Sequence, residues 1–78
     1  MTKLKILLKS VEDVKNFTFI MSGENHEADI ISGKYVVDAK SIMGIFSLDL
    51  SKPLDLAIHG DAENCGTLLE KLEKYITE

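Results

Sequence analysis

The chain has one cysteine, one proline, few cations and no long apolar run, and each shortage closes off a class of protein. Cys65 alone cannot form an internal disulfide, so the core must be held by packing, as in a chain kept in a reducing compartment; the cytoplasm is the expected location. The apolar patch Ile6-Leu7-Leu8, flanked by Lys3, Lys5 and Lys9, falls below the roughly 7–15 residues of a secretory h-region, and no membrane partner is expected. Nine Lys and Arg against 13 Asp and Glu leave a net charge of -4, the wrong sign for direct binding to nucleic acid. Seventy-eight residues leave no room for a second core, so residues 1–78 read as a single domain. With 45% hydrophobic and 28% charged residues, that domain should fold in water.

Alternation places Leu4, Ile6 and Leu8 on one side of a first strand, opposite Lys3 and Lys5. Ser10 is an N-cap and Asp13 can reach back as in a capping box, opening a helix over about residues 11–22 with Val11, Val14, Phe17, Ile20 and Met21 as its buried stripe and Gly23 as its stop. Residues 29–31 and 34–38 form a hairpin around a Ser32-Gly33 turn. Ser41 is an N-cap for a short helix that Gly44 weakens. Leu54, Leu56 and Ile58 make a strand with one buried face, ending at Gly60-Asp61. Cys65, Leu68, Leu69, Leu72, Tyr75 and Ile76 form the stripe of a terminal helix. The order β-α-β-β-α-β-α implies an α+β domain, one sheet covered on one face by helices.

Chemistry-bearing residues are sparse. His26 lies in the polar connection Gly23-Glu24-Asn25-His26-Glu27 and reads as a solvated loop residue, and His59 as a side chain at a strand end. With no second His or Cys at ligand spacing beside His59, no metal site is expected. Cys65 reads as a small core residue on its stripe. Lys3, Lys5, Lys9 and Lys15 form one solvated face, and Glu63, Glu70, Glu73 and Glu78 another. No catalytic residue and no cofactor are assigned, and the chain does not read as an enzyme.

The run Val36-Val37-Asp38-Ala39-Lys40-Ser41-Ile42-Met43-Gly44-Ile45-Phe46-Ser47-Leu48, above all Lys40-Ser41-Ile42-Met43-Gly44, resembles the regulatory serine region of HPr, the small phosphocarrier of the bacterial sugar phosphotransferase system. The length and the order of elements extend the resemblance over nearly the whole chain. It implies an HPr-like open-faced β-sandwich, a four-stranded antiparallel sheet with helices on one face. It also implies that Ser41 is the target of an ATP-dependent kinase and that the short helix docks on partners, with Lys40, Ile42, Met43 and Phe46 as the contact residues. In that family a Gly-Ile-His-Ala-Arg-Pro-like motif at the entrance to the first helix carries the phosphorylated histidine. Here the stretch reads Ser10-Val11-Glu12-Asp13-Val14-Lys15-Asn16, so Val11, Glu12 and Asp13 mark the position of a lost motif. Carboxylates there oppose a phosphoryl group at a helix N-terminus.

Helical geometry cannot bury Ile42, Met43, Ile45 and Phe46 on one stripe, so Met43, with Ile42 or Phe46, should face outward. The leading expectation is an HPr-like regulatory protein without the phosphocarrier site, switched at Ser41 by an HPr-type kinase and binding a transcriptional regulator or phosphotransferase system components. The alternatives are phosphotransfer through His26 or His59, and an interaction module without phosphate that uses its uncovered sheet face or short helix.

Overall fold

A computed structural model describes residues 1–60 and 66–77. Four strands, β1 (Thr2–Ile6), β2 (Ala28–Ser32), β3 (Tyr35–Asp38) and β4 (Leu54–Ile58), form one sheet in the order β1-β4-β2-β3, and every neighbouring pair is antiparallel. The helices α1 (Val11–Ser22), α2 (Ile42–Phe46) and α3 (Gly66–Leu72) complete the order expected from the sequence, and a single 3-10 turn, Glu73–Tyr75, follows α3. Asp61, Glu63, Cys65 and Glu78 lie outside the described residues, and with them the expectations attached to them. No helix among the described residues is long and apolar enough to cross a membrane.

The core lies between one face of the sheet and the helices. Ile6, Ile30, Leu54, Leu56 and Ile58 meet Val14, Phe17, Met21, Ile45, Leu68 and Leu72, all essentially without solvent contact. The α1 stripe is Val14, Phe17, Thr18 and Met21, an i, i+3, i+4, i+7 set. It differs from the expected stripe at both margins, since Val11 is exposed and Ile20 only half-buried. Thr18 can join because its hydroxyl donates to the carbonyls of Val14 and Lys15, each at 3.0 Å, which removes the cost of burying it unpaired. Phe17 meets the edge of the Tyr75 ring, with centroids 6.3 Å apart and planes at 85°.

The sequence placed three local features slightly wrong. The hairpin turn is Gly33-Lys34 rather than Ser32-Gly33, because Ser32 still pairs with Tyr35. Gly33 has φ 61°, the only positive φ among the described residues, so the glycine sits first in a two-residue turn of the II′ kind. Leu8 is buried but lies beyond β1, which stops at Ile6. The terminal helix ends at Leu72, so Tyr75 and Ile76 reach the core by another route. Residues 75–77 run alongside β1: Leu7 N–H donates to the Tyr75 carbonyl at 2.8 Å, Thr77 N–H to the Lys5 carbonyl at 3.0 Å, and Ile6 bridges Ile76. The chain thereby covers the β1 edge of its own sheet.

Before β4, Asp49 closes a turn by accepting from the Ser51 hydroxyl at 2.6 Å and the Ser51 amide at 3.1 Å. These bonds hold its carboxyl below the usual aspartate range. A Cβ added at Gly33 would meet no heavy atom within 4 Å, so Gly33→Ala isolates the cost of a left-handed backbone. Urea unfolding should show a loss of about 1–2 kcal/mol with an unchanged m-value.

Candidate functional site

Two helix N-termini face different chemistry. At α1, Ser10 Oγ accepts from the Asp13 amide at 3.1 Å, and Asp13 Oδ2 accepts from the Lys9 amide at 3.0 Å. The reach-back expected of Asp13 therefore exists but lands on Lys9 rather than on Ser10. With Glu12 also in the first turn, two carboxylates already occupy the field that favours an anion. Val11 is exposed beside them. At α2, Ser41 Oγ accepts from the Gly44 amide at 3.1 Å, and its carbonyl accepts from Ile45 at 3.0 Å. The first turn of α2 carries no acidic residue.

Gly44, which weakens the helix by propensity, has a local reason. A Cβ there would lie 3.1 Å from both Ser41 Oγ and Val37 Cβ. The absence of a side chain lets the capping hydroxyl and the β3 side chain approach the same backbone atom.

Lys40 is half-buried, and its ammonium donates to the Glu24 carbonyl at 3.0 Å, while its amide donates to Asp38 Oδ1 at 2.8 Å. This lysine, expected beside Ser41 as a contact residue, uses one ammonium hydrogen to tie the start of α2 to the chain just past α1. Glu24 also pairs with Lys71 through its carboxylate at 3.0 Å.

Outward from Ser41, α2 presents Met43, 78% exposed, and Phe46, 39% exposed; Ile42 is half-buried and Ile45 is in the core. Sequence reasoning overlooked Phe19, which is 80% exposed. The signal was present: two residues from Phe17, it points about 200° around the helix from the core face. A shallow groove of about 460 Å³ runs between α1 and α2, lined by Lys15, Thr18, Phe19, Ser22, Lys40 and Ile42. A groove of about 520 Å³ at the hairpin turn, lined in part by Lys34, Tyr35, Asp49 and Pro53, contains none of the candidate site residues Lys40, Ser41, Ile42, Met43, Phe46, His26 and His59.

The histidines lie elsewhere. Ile6 pairs with Leu54 and Thr2 with Ile58, so α1 begins near one end of the sheet while β4 delivers His59 to the other, about 17 Å from Leu54 along the strand. His59 N–H donates to the Glu27 carbonyl at 2.8 Å, which puts His26 at that far end too. His59 Nε2 is 3.1 Å from Asp29 Oδ2, on an open surface. His26 Nδ1 is buried with no hydrogen-bond partner, 3.9 Å from Glu24 Oε1. Neither histidine reaches the α1 N-terminus. No group of three or more His, Cys, Asp and Glu suited to a metal ion occurs among the described residues.

Ser41→Ala should lower stability by about 1 kcal/mol in urea unfolding, and Ser41→Asn, which can still accept from Gly44, should recover most of it.

No protein-family model and no curated protein matches the chain. Among solved structures, the chain is similar to HPr-C-His from Thermoanaerobacter tengcongensis, with a TM-score of 0.73 and 26% identity over 95% of this chain and 93% of that one. It is also similar to a phosphocarrier protein HPr from Bacillus anthracis str. Ames, with a TM-score of 0.70 and 20% identity over 97% and 96% of the two chains. With the sheet order, the helices on one face and these two alignments spanning nearly the full length, the chain has the HPr-like fold.

Proposed function

We propose that this protein is a non-enzymatic, HPr-like regulatory and binding partner within a phosphotransferase-type system, that it has given up the histidine phosphocarrier role, and that phosphorylation of Ser41 switches its contacts. The observation that carries this reading is the contrast between the two helix N-termini. The first is occupied by the Ser10–Asp13 cap and the Glu12 carboxylate, where a phosphoryl group would meet like charge. The second is capped by a serine hydroxyl with no carboxylate in its first turn.

The chemistry proposed for Ser41 is phosphoryl transfer from ATP: the hydroxyl oxygen attacks the terminal phosphorus, the bond to ADP breaks, and the hydroxyl proton leaves to a base on the kinase. A phosphoserine at this cap brings close to two negative charges next to the first amides of α2, which favour them. It also places those charges beside Met43 and Phe46. Unmodified, that surface offers adaptable apolar contacts from Met43, Phe46, Ile42 and Phe19; modified, it favours a partner that adds arginine or lysine next to an apolar patch. Lys40 contributes by fixing the approach of α2 to α1, and its free ammonium hydrogens remain available to a phosphoryl oxygen.

The exposed His59–Asp29 pair supports a second reading, phosphotransfer through His59, since a carboxylate can orient an imidazole. Against it stands Asp38, directly across the ladder from Asp29, which adds negative charge where a phosphoryl donor would approach.

Intact mass after parallel incubations separates these readings. With an HPr-type kinase and ATP, one phosphate should add, and Ser41→Ala should abolish it. With phosphoenolpyruvate and the first enzyme of the phosphotransferase system, no mass should add while an ordinary HPr control is modified. A phosphate in the second reaction that is lost in His59→Ala would replace the serine-switch reading with the carrier one.

A further inference from the structure

The two edges of the sheet are treated differently. The β1 edge is covered by residues 75–77 of the same chain. At β3 no described strand or segment covers the other edge, and Tyr35 and Val36 are exposed there, Val36 by 61%. An open edge is a template for a further strand, and the pattern on β3 specifies which one.

The ladder fixes which backbone groups are available. Ser32 and Tyr35 flank a two-residue turn and are therefore a hydrogen-bonded pair. The Ala39 amide donates to the Ala28 carbonyl at 3.0 Å, which sets the same parity from the other end. Tyr35, Val37 and Ala39 thus bond toward β2, and Val36 and Asp38 turn their backbone groups outward. The Asp38 carbonyl is already used by the Ser41 amide at 3.0 Å. The outward groups left are the amide and carbonyl of Val36, the amide of Asp38 and the carbonyl of Lys34.

Those groups are self-complementary. In an antiparallel pair of two β3 strands related by a two-fold axis at Val36, the two Val36 residues exchange both hydrogen bonds. Each Asp38 amide then meets the Lys34 carbonyl of the other copy. The same register sets the Lys34 ammonium opposite the Asp38 carboxylate on both sides of the axis. Shifting the symmetric register toward Val37 would oppose Lys34 to Lys40, and shifting it toward Tyr35 would leave Asp38 opposite Ser32, so only the register centred on Val36 pairs the charges. A parallel, in-register pair would oppose lysine to lysine and aspartate to aspartate. Within one chain Asp38 lies across from Asp29, an unfavourable like-charge pair, and Lys34 makes no ion pair among the described residues. A second copy would bring a cation to Asp38, while Asp29 faces His59 at 3.1 Å within its own chain.

The geometry points to β3 as a self-association edge: two copies of this chain join β3 to β3 antiparallel about Val36, with reciprocal Lys34–Asp38 ion pairs, to make one continuous eight-stranded sheet. Two four-residue strands bury less than the roughly 1,200 Å² of a standard interface, so the dimer should form at about 0.1–1 mM chain rather than at nanomolar levels.

Sedimentation equilibrium from about 10 μM to about 1 mM tests this with charge reversals. Wild-type protein should fit a monomer–dimer equilibrium. Lys34→Glu and Asp38→Lys should each weaken it about tenfold or more, since each turns attraction into repulsion at both pairs. An equimolar mixture of the two variants should regain dimer. In the mixed pair the introduced carboxylate faces the introduced ammonium on one side of the axis, and the unchanged Asp38 of one copy faces the unchanged Lys34 of the other on the opposite side. Circular dichroism checks that each variant is folded. As a second readout, Val36→Cys in a Cys65→Ser background should oxidise to a covalent dimer, because hydrogen-bonded antiparallel partners lie about 5.5 Å apart at Cα, within disulfide reach. A monomer throughout the range with no Val36→Cys dimer overturns the inference, as does association that both charge reversals leave unchanged.

Discussion

The position of β4 constrains everything else. The last strand in the chain lies between the first and the second, pairing along Leu54–Ile58 with β1 and through Asp55–Ile58 with β2. Leu54, Leu56 and Ile58 face the helices, while Ala57, on the opposite face, is also buried between its neighbours Lys3 and Asp29. Until β4 is placed, β1 has no strand partner and the hairpin of β2 and β3 has no second neighbour. The helix layer has only half a floor, because Phe17 and Leu72 need the central apolar ladder beneath them. A core of this size has little stability to spare, so the long-range pairing of β4 is the step on which α1, α2 and α3 all depend.

That dependence explains the division of labour between the faces. Apolar residues that face β4 from the helices and the neighbouring strands make the core, and those left exposed lie on the outer surface of α1 and α2, on β3 and at Met1. Phe19, Met43 and Phe46 are large side chains that a 78-residue domain leaves in water. Scattered exposure of this sort is ordinary, but Phe19 shares one groove with Lys40 and Ile42, the residues that flank the capping serine. The two helix caps show how one local motif is put to different uses. Serine followed three residues later by Asp brings a carboxylate into the first turn of α1, whereas serine followed three residues later by Gly caps α2 without one.

Much of this was legible in the sequence, for stated reasons. Alternation at Leu4-Lys5-Ile6 and Leu54-Asp55-Leu56, the caps at Ser10 and Ser41, and the Gly33 turn signal depend on neighbours a few residues apart, which a linear reading can see. The resemblance in Lys40-Ser41-Ile42-Met43-Gly44 anticipated the open-faced sheet. What escaped depends on partners distant in sequence. A helical stripe through Tyr75 and Ile76 cannot reveal that β1 will claim those residues as an edge guard. The tie from Lys40 to the Glu24 carbonyl spans 16 positions, and no periodicity encodes it. Val11 satisfies the stripe spacing, yet it precedes the turn where α1 meets the layer beneath.

The Lys40 tie has a mechanical consequence. Phe19 belongs to α1 and Met43 to α2, two elements separated by the whole β2–β3 hairpin, so nothing in the covalent chain keeps them at a constant spacing. One ammonium hydrogen bonded to the Glu24 carbonyl acts as a spacer bar between the two helices. Pulling that ammonium toward a new anion would loosen the bar, so a charge placed near the start of α2 would alter the width of the surface as well as its potential.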